Sequence, residues 1–188
     1  MNPDKQRELS ELLALPGLEL RSIAEFPGAR APEESGATLE ENARTKAAYA
    51  CALTGLPAIA DDTGLEVDAL GGAPGVMAAR FAGPGATYAD NCVLLLERLR
   101  GVSATRRAAR FRCVMIVRWP DGREQAAEGV LEGRITERPR GDQGFGYDPL
   151  FEVEKTGRTL AELSAAEKNA LSHRARAARA LVRQLAGC

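Results

Sequence analysis

Apolar and polar positions along the chain switch repeatedly between helical and strand spacing. Leu9, Leu12 and Leu13 form a helical stripe ended by Pro16-Gly17, with Asn2 placed to cap the helix and Pro3 at its first position. Leu18 to Ile23 reads as a strand, followed by a loop rich in Pro, Gly and Glu up to Gly36. Thr38-Leu39-Glu40-Glu41 is a capping-box pattern that opens a helix through about Thr54, closed by Gly55 and Pro57. The small residues Ala43, Ala47, Ala48 and Ala50 suit that helix for close packing on a sheet. The apolar run from Ala58 is short and partly β-branched, which predicts a buried strand that carries Asp61 and Asp62 to a turn at Thr63-Gly64.

The second half continues the alternation. Gly71 to Gly75 is a tight loop, Arg80 to Gly85 is irregular, and Thr87 with Asp90 opens a helix carrying Leu94, Leu95 and Leu99 before Gly101 closes it. Ala109 to Trp119 is the strongest strand pattern. Pro120-Asp121-Gly122 turns it into a second strand from about Glu124 to Leu131, an antiparallel hairpin. A glycine-rich loop from Gly141 to Gly146 runs into Tyr147-Asp148-Pro149-Leu150-Phe151, and Ser164 to Glu167 caps helical residues that continue to Leu185. With no repeat or linker, the pattern predicts one domain over residues 1–188, α/β in class with a mixed sheet.

Composition narrows the setting. At 188 residues and 45% apolar, the chain can bury a continuous core. No apolar run reaches the length of a membrane span, and Met1-Asn2-Pro3-Asp4-Lys5 lacks the apolar core of a signal peptide. Cys51, Cys92, Cys113 and Cys188 are scattered without pairing or metal spacing, so the expected setting is a reducing cytoplasm with no membrane partner. A net charge of −1 argues against nonspecific nucleic-acid binding, so any anion site must be local. Arg greatly outnumbers Lys; the lysines are Lys5, Lys46, Lys155 and Lys168, and such sparse lysines mark places that want a compact point charge.

Several groups carry candidate chemistry. Side chains alternate along a strand, so Asp61 and Asp62 should face opposite ways, one towards a ligand and the other bracing the backbone or a helix end; a solvated acidic turn is the alternative. Glu41 either closes the capping box with Thr38 or ligates a metal beside Asp62. Carboxylates without a His or Cys cluster suit Mg²⁺ and disfavour zinc. In Gly144-Phe145-Gly146-Tyr147-Asp148-Pro149 the glycines let backbone approach a flat ligand on which Phe145 could stack, or they form a tight turn over a buried Phe. No Gly-Lys-Ser/Thr follows, so this is not a Walker loop. His173 lies five positions after Lys168, about 140° around a continuous helix, so both reach one pocket only if the helix breaks; Ser172 predicts a kink near Leu171 to His173. A single basic surface helix with Arg176, Arg179 and Arg183 is the alternative.

Taken in order, these blocks resemble the inosine triphosphate pyrophosphatase family. The matching stretches are Asn2-Pro3-Asp4-Lys5 with Glu8-Leu9; Gly36 with Thr38, Glu41-Asn42 and Lys46-Ala47; Leu56 to Leu65; Gly71 to Gly75 with Ala79-Arg80; Gly144 to Phe151; and Glu167-Lys168 with Ser172-His173-Arg174. The resemblance implies a two-lobed α/β fold around a long mixed sheet, a nucleotide cleft between the lobes, and a homodimer. It implies Mg²⁺-dependent hydrolysis of non-standard purine nucleoside triphosphates (ITP, dITP, XTP) to the monophosphate and pyrophosphate. Asp62 matches the general base and metal-linked carboxylate, Glu41 its metal partner, and Asp61 a residue that aids the metal or braces the turn. Lys5, Lys46 and Thr63 match positions that hold substrate phosphates, and Asn2 lies in a matching block as a substrate-binding residue. Phe145, Gly146, Tyr147, Asp148, Lys168, His173 and Arg174 match segments that hold base and sugar.

The sequence departs from that family in two places. Family members begin with an apolar strand ending in Thr-Gly; Met1 stands where that Gly would be, so the strand and the Thr are absent here, and the expectation is a natural protein that is longer, with a damaged, inactive form as the alternative. Met77 stands where an aromatic residue is frequent. The competing functions are a catalytically weak nucleotide-binding protein and a related house-cleaning pyrophosphatase for modified pyrimidine or methylated nucleotides.

Overall fold

Local capping chemistry sets most of the helices. In a computed structural model that describes residues 3–13 and 17–186, helix α1 spans Pro3–Leu12 and α2 Leu39–Thr54. The Thr38 hydroxyl caps α2 by accepting from the Glu41 N–H at 3.1 Å, and Gly55 closes it in the left-handed conformation. The capping box at α2 is one-sided, because the Glu41 carboxylate accepts from the Ala37 N–H at 2.7 Å and not from Thr38. Helix α3 (Tyr88–Arg98) carries a complete box of Thr87 and Asp90, and α4 (Ala165–Leu171) one of Ser164 and Glu167. The chain then breaks at Ser172, whose extended backbone separates α4 from α5 (His173–Ala186), at the kink expected near Leu171 to His173. The expected caps at Asn2 and Pro16, and Cys188, lie outside the described residues.

The strands are β1 (Ala58–Val67), β2 (Pro74–Gly75), β3 (Ala108–Arg118), β4 (Glu124–Ile135) and β5 (Phe151–Val153), in the sheet order β2-β1-β3-β4-β5. Together with the helices they form the expected α/β fold, a sheet flanked by helices. Strands β3 and β4 make the expected hairpin, closed by Trp119 N–H donating to the Arg123 carbonyl at 2.9 Å. Strand β2 pairs antiparallel with β1 through Leu65 opposite Gly75, and β5 antiparallel with β4 through Gly133 opposite Val153.

Two local expectations are corrected. Thr63-Gly64 does not end β1. The strand runs on to Val67 because Leu65 and Val67 are fully buried and Leu65-Glu66 pair with β2, so Asp61 and Asp62 sit in mid-strand. Leu18 to Ile23 forms no strand: Leu18 and Leu20 are exposed, and Ser22 with Glu25 makes a capping box on a single 3₁₀ turn, Ile23–Glu25. Local hydrogen bonds to the Ser22 and Glu25 side chains satisfy that backbone, and among the described residues no strand pairs with it.

The chain divides into two compact units. The first comprises residues 1–62, 113–129 and 173–188, the second residues 63–112 and 130–172. In the first, Leu9, Leu12 and Leu13 of the α1 region pack with Ala177, Ala178 and Leu181 of α5 and with Cys113 and Met115 of β3. In the second, Leu65, Leu95, Leu99, Phe111, Leu150 and Phe151 anchor a separate core.

Gly129 of β4 fixes how closely α5 approaches within the first unit. A Cβ there would lie 2.1 Å from the His173 carbonyl oxygen and 2.4 Å from the Ala177 nitrogen, both backbone atoms that no rotamer can move aside. Gly129→Ala is therefore expected to lower stability by about 1–3 kcal/mol, the usual range for overpacking, read as a denaturant midpoint shift. A midpoint equal to wild type would show that α5 gives way freely.

Candidate active site

Helix α2 can lie close to its neighbours because Ala43, Ala47 and Cys51, four residues apart, are buried along one stripe. Ala48 and Ala50, expected to share that role, are only partly buried. Asn42 and Lys46, one turn apart, reach the same acceptor. Lys46 Nζ donates to Asp62 Oδ1 at 2.7 Å and to Glu34 Oε1 at 3.1 Å, while Asn42 Nδ2 donates to Asp62 Oδ2 at 3.2 Å. Both oxygens of Asp62 are thus held, and the residue is 4% exposed. Burial disfavours the Lys46 ammonium, but Asp62, with Asp61 and Glu34, outweighs it and raises the lysine pKa; Lys46 is a permanent cation here.

Asp61 has a different set of partners, as strand alternation requires. Its Oδ2 accepts from Arg174 Nε and Nη2 at 3.2 and 3.1 Å, and Lys5 Nζ lies 3.7 Å away. The Cys113 thiol approaches the same oxygen at 3.8 Å. Burial pushes the Asp61 carboxyl up, yet Lys5, Arg174 and Lys46 overcome it and hold its pKa well below the usual carboxylate range. Arg174, 1% exposed, also donates from Nη1 to Glu8. His173 is buried at the first position of α5, and Thr63 follows Asp62 on β1 as the first residue of the second unit.

The second unit holds the glycine-rich loop. Gly144 is left-handed, and a Cβ on it would meet Asp148 Oδ2 at 2.1 Å, so only glycine lets that carboxylate tuck beneath the loop. Asp148 Oδ2 accepts from the Phe145 N–H at 2.9 Å and from Lys168 Nζ at 2.6 Å. The same ammonium lies 4.7 Å from the Phe145 ring centroid, and Tyr88 packs tilted against that ring at 5.8 Å. Tyr147 points inward, its hydroxyl donating to the Ala78 carbonyl at 2.9 Å, which pins the loop to the core; burial and, secondarily, Cys92 push its pKa up. The Cys92 thiol reaches the Gly146 carbonyl at 3.4 Å, and burial, with Asp148, pushes it to about 11, so it is an inert neutral thiol.

In the first unit the structure brings together Lys5, Lys46, Asp61, Asp62 and Arg174, and in the second Phe145, Asp148 and Lys168 with the Gly146-Tyr147 turn. Asn2 lies outside the described residues. Lys155, which matched no functional block, is exposed. Glu41 is exposed on α2 with its carboxylate on Ala37. Asn42, Glu34 and Tyr88 were given no role by sequence reasoning. The four-residue spacing of Asn42 and Lys46 carried a usable signal, whereas Glu34 in its irregular loop carried none.

Donor chemistry fits a hard cation: the acceptors at Asp61, Asp62, Glu34 and Glu41 are all carboxylate oxygens, as Mg²⁺ prefers. Among the described residues no group of three or more His, Cys, Asp or Glu is gathered to hold a metal. A metal here would take its remaining oxygens from a ligand.

A buried carboxylate held by lysine and asparagine, in an α/β fold that also carries a glycine-aromatic loop, is the arrangement expected of an enzyme acting on the phosphoanhydrides of nucleotides. The family model described as the Ham1 family matches residues 1–184, and the chain belongs to that family. It is 53% identical over 181 residues to a dITP/XTP pyrophosphatase of Thermus thermophilus, covering 96% of this chain and 86% of the relative. It is 50% identical over 188 residues to that of Thioalkalivibrio sulfidiphilus, covering 99% and 95%. Among solved structures, a HAM1 protein from Coxiella burnetii superposes with a TM-score of 0.90 at 42% identity, covering 100% of this chain and 96% of that one.

Proposed function

We propose that the chain is a Mg²⁺-dependent pyrophosphatase that converts ITP, dITP and XTP to the monophosphate and pyrophosphate. The observation that carries this reading is Asp62, a buried carboxylate whose two oxygens are oriented by Lys46 and Asn42 on the family's Asp-Asp-Thr-Gly strand. Asp62 accepts the proton of a water whose oxygen bonds to phosphorus. The P–O bond between the α- and β-phosphates breaks, and pyrophosphate leaves with that bond's electron pair. Lys46 and Lys5, with Thr63, bind and neutralise phosphate oxygens, and Asn42 keeps the Asp62 carboxylate from rotating. Asp62 and Glu41 are the residues that would hold Mg²⁺, which would add charge neutralisation on the phosphates. Asp61, already committed to Arg174 and Lys5, braces the strand.

Phe145 offers the base a stacking face, and Lys168 and the loop N–H groups of the same unit offer donors that suit the 6-oxo acceptor of hypoxanthine or xanthine and leave the 6-amino group of adenine unpaired. Such a site rejects the wrong base strongly, so dITP is expected to be turned over at least about 100-fold more efficiently than dATP. Pyrophosphate release from both nucleotides with Mg²⁺ checks this, and equal rates would sink it. We further infer a homodimer and a reducing compartment, the latter supported by the dispersal of Cys51, Cys92 and Cys113 as thiols. Among the described residues no helix is long and apolar enough to cross a membrane.

A further inference from the structure

Lys5 and Glu8 lie three residues apart on one face of α1, and both reach charges buried within the first unit. Lys5 Nζ is 3.7 Å from Asp61 Oδ2, while Glu8 accepts from Arg174, whose other nitrogens donate to that same Asp61 oxygen. The four charges alternate in sign along Glu8, Arg174, Asp61 and Lys5, so the set is neutral. Were Glu8 uncharged, two cations would share one carboxylate and repel each other with little screening in the interior. Arg174, with a side chain 2% exposed, has nowhere to go. Lys5, at 24%, is the one able to leave.

We propose that Glu8 is a positioning residue for the phosphate-binding end of the site: by occupying one side of Arg174 it lets Asp61 also hold Lys5, and so fixes where that ammonium is presented. This role rests on the reading of the chain as a triphosphate pyrophosphatase. It makes a prediction of distinctive sign. Simple electrostatics says that deleting a negative charge near a polyanion site tightens polyanion binding, whereas loss of a fixed Lys5 weakens it.

The experiment uses the full chain with Glu8→Gln and Glu8→Asp. With dITP and Mg²⁺, Glu8→Gln is expected to raise KM about tenfold while kcat stays within about threefold, and Glu8→Asp, which restores the charge, to recover most of that loss. A second readout needs no turnover. Reductive ¹³C-methylation labels the four lysines, and the Lys5 resonance is expected to move in Glu8→Gln and return towards wild type in Glu8→Asp, with exposed Lys155 unmoved. An unchanged or lowered KM, or a stationary Lys5 resonance, overturns the proposal. Absence of dITP turnover by wild type would defeat the functional reading alone, and the Lys5 resonance would still decide the role of Glu8. If Glu8→Gln does not fold, Glu8→Asp serves by itself: its charge brings the Lys5 resonance most of the way back, its shorter reach leaves a small residual displacement, and a resonance at the wild-type position overturns the proposal.

Discussion

Asp62→Asn is expected to lower pyrophosphate release from dITP by about 10³-fold, within the range that general-base removal produces, while the fold survives. The two halves of that expectation have separate causes. Asparagine keeps the shape of the side chain and an oxygen to accept from Lys46, but it cannot take a proton from water. The fold survives because Lys46 is not left as a lone buried cation: Glu34 remains 3.1 Å from its Nζ. Steady-state release assays together with thermal midpoints test both halves. A variant within about tenfold of wild type would remove Asp62 from the proton-transfer step. If Asp61→Asn proved the more damaging to turnover, the roles assigned to the two aspartates would be exchanged.

Arg174→Leu should have the largest effect on stability. It strips the partner from two carboxylates at once, and breaking a buried pair on one side costs about 3–5 kcal/mol, more than the pair itself contributes when intact. For a chain of this size that corresponds to a midpoint lowered by about 6–20 °C in a thermal scan. The variant also tests the acid behaviour of the protein. Asp61 titrates in the folded state below its unfolded value of about 3.9, so its charge adds stability at higher pH, and that contribution disappears as pH falls below about 4 towards the folded value. With Arg174 gone, the Asp61 pKa rises and this acid-side loss should flatten. Stability measured between pH 3 and 6 would show it. A midpoint within about 2 °C of wild type would mean that the guanidinium bridge contributes little.

Elements whose signals are local were legible in the sequence. Thr87 with Asp90 and Ser164 with Glu167 each form their cap within four residues, and Pro120-Asp121-Gly122 turns its own hairpin. The break at Ser172 was legible because serine is a capping residue placed between two helical runs. What failed depended on remote partners. Thr63-Gly64 has the composition of a turn, but β2 and the buried Leu65 hold it extended. Leu18 to Ile23 has strand composition, but among the described residues no strand pairs with it. The site divides in the same way. Asp62, Lys46 and Asn42 were within reach of pattern reasoning because a strand and a one-turn helical spacing bring them forward. The meeting of Glu8 with Arg174 was not, since no periodicity links residues 166 apart.

That separation also orders events during synthesis. Helix α1 is among the first segments to leave the ribosome, yet Arg174, which bridges it to β1, emerges about 8–33 s later at ordinary translation rates. Until then the Arg174 bridge between Glu8 and Asp61 is missing, Asp61 is compensated by Lys5 and Lys46 alone, and the docking of α1 waits for nearly the whole chain. A nascent chain stalled before residue 174 should therefore show α1 accessible to protease and become protected once α5 is complete.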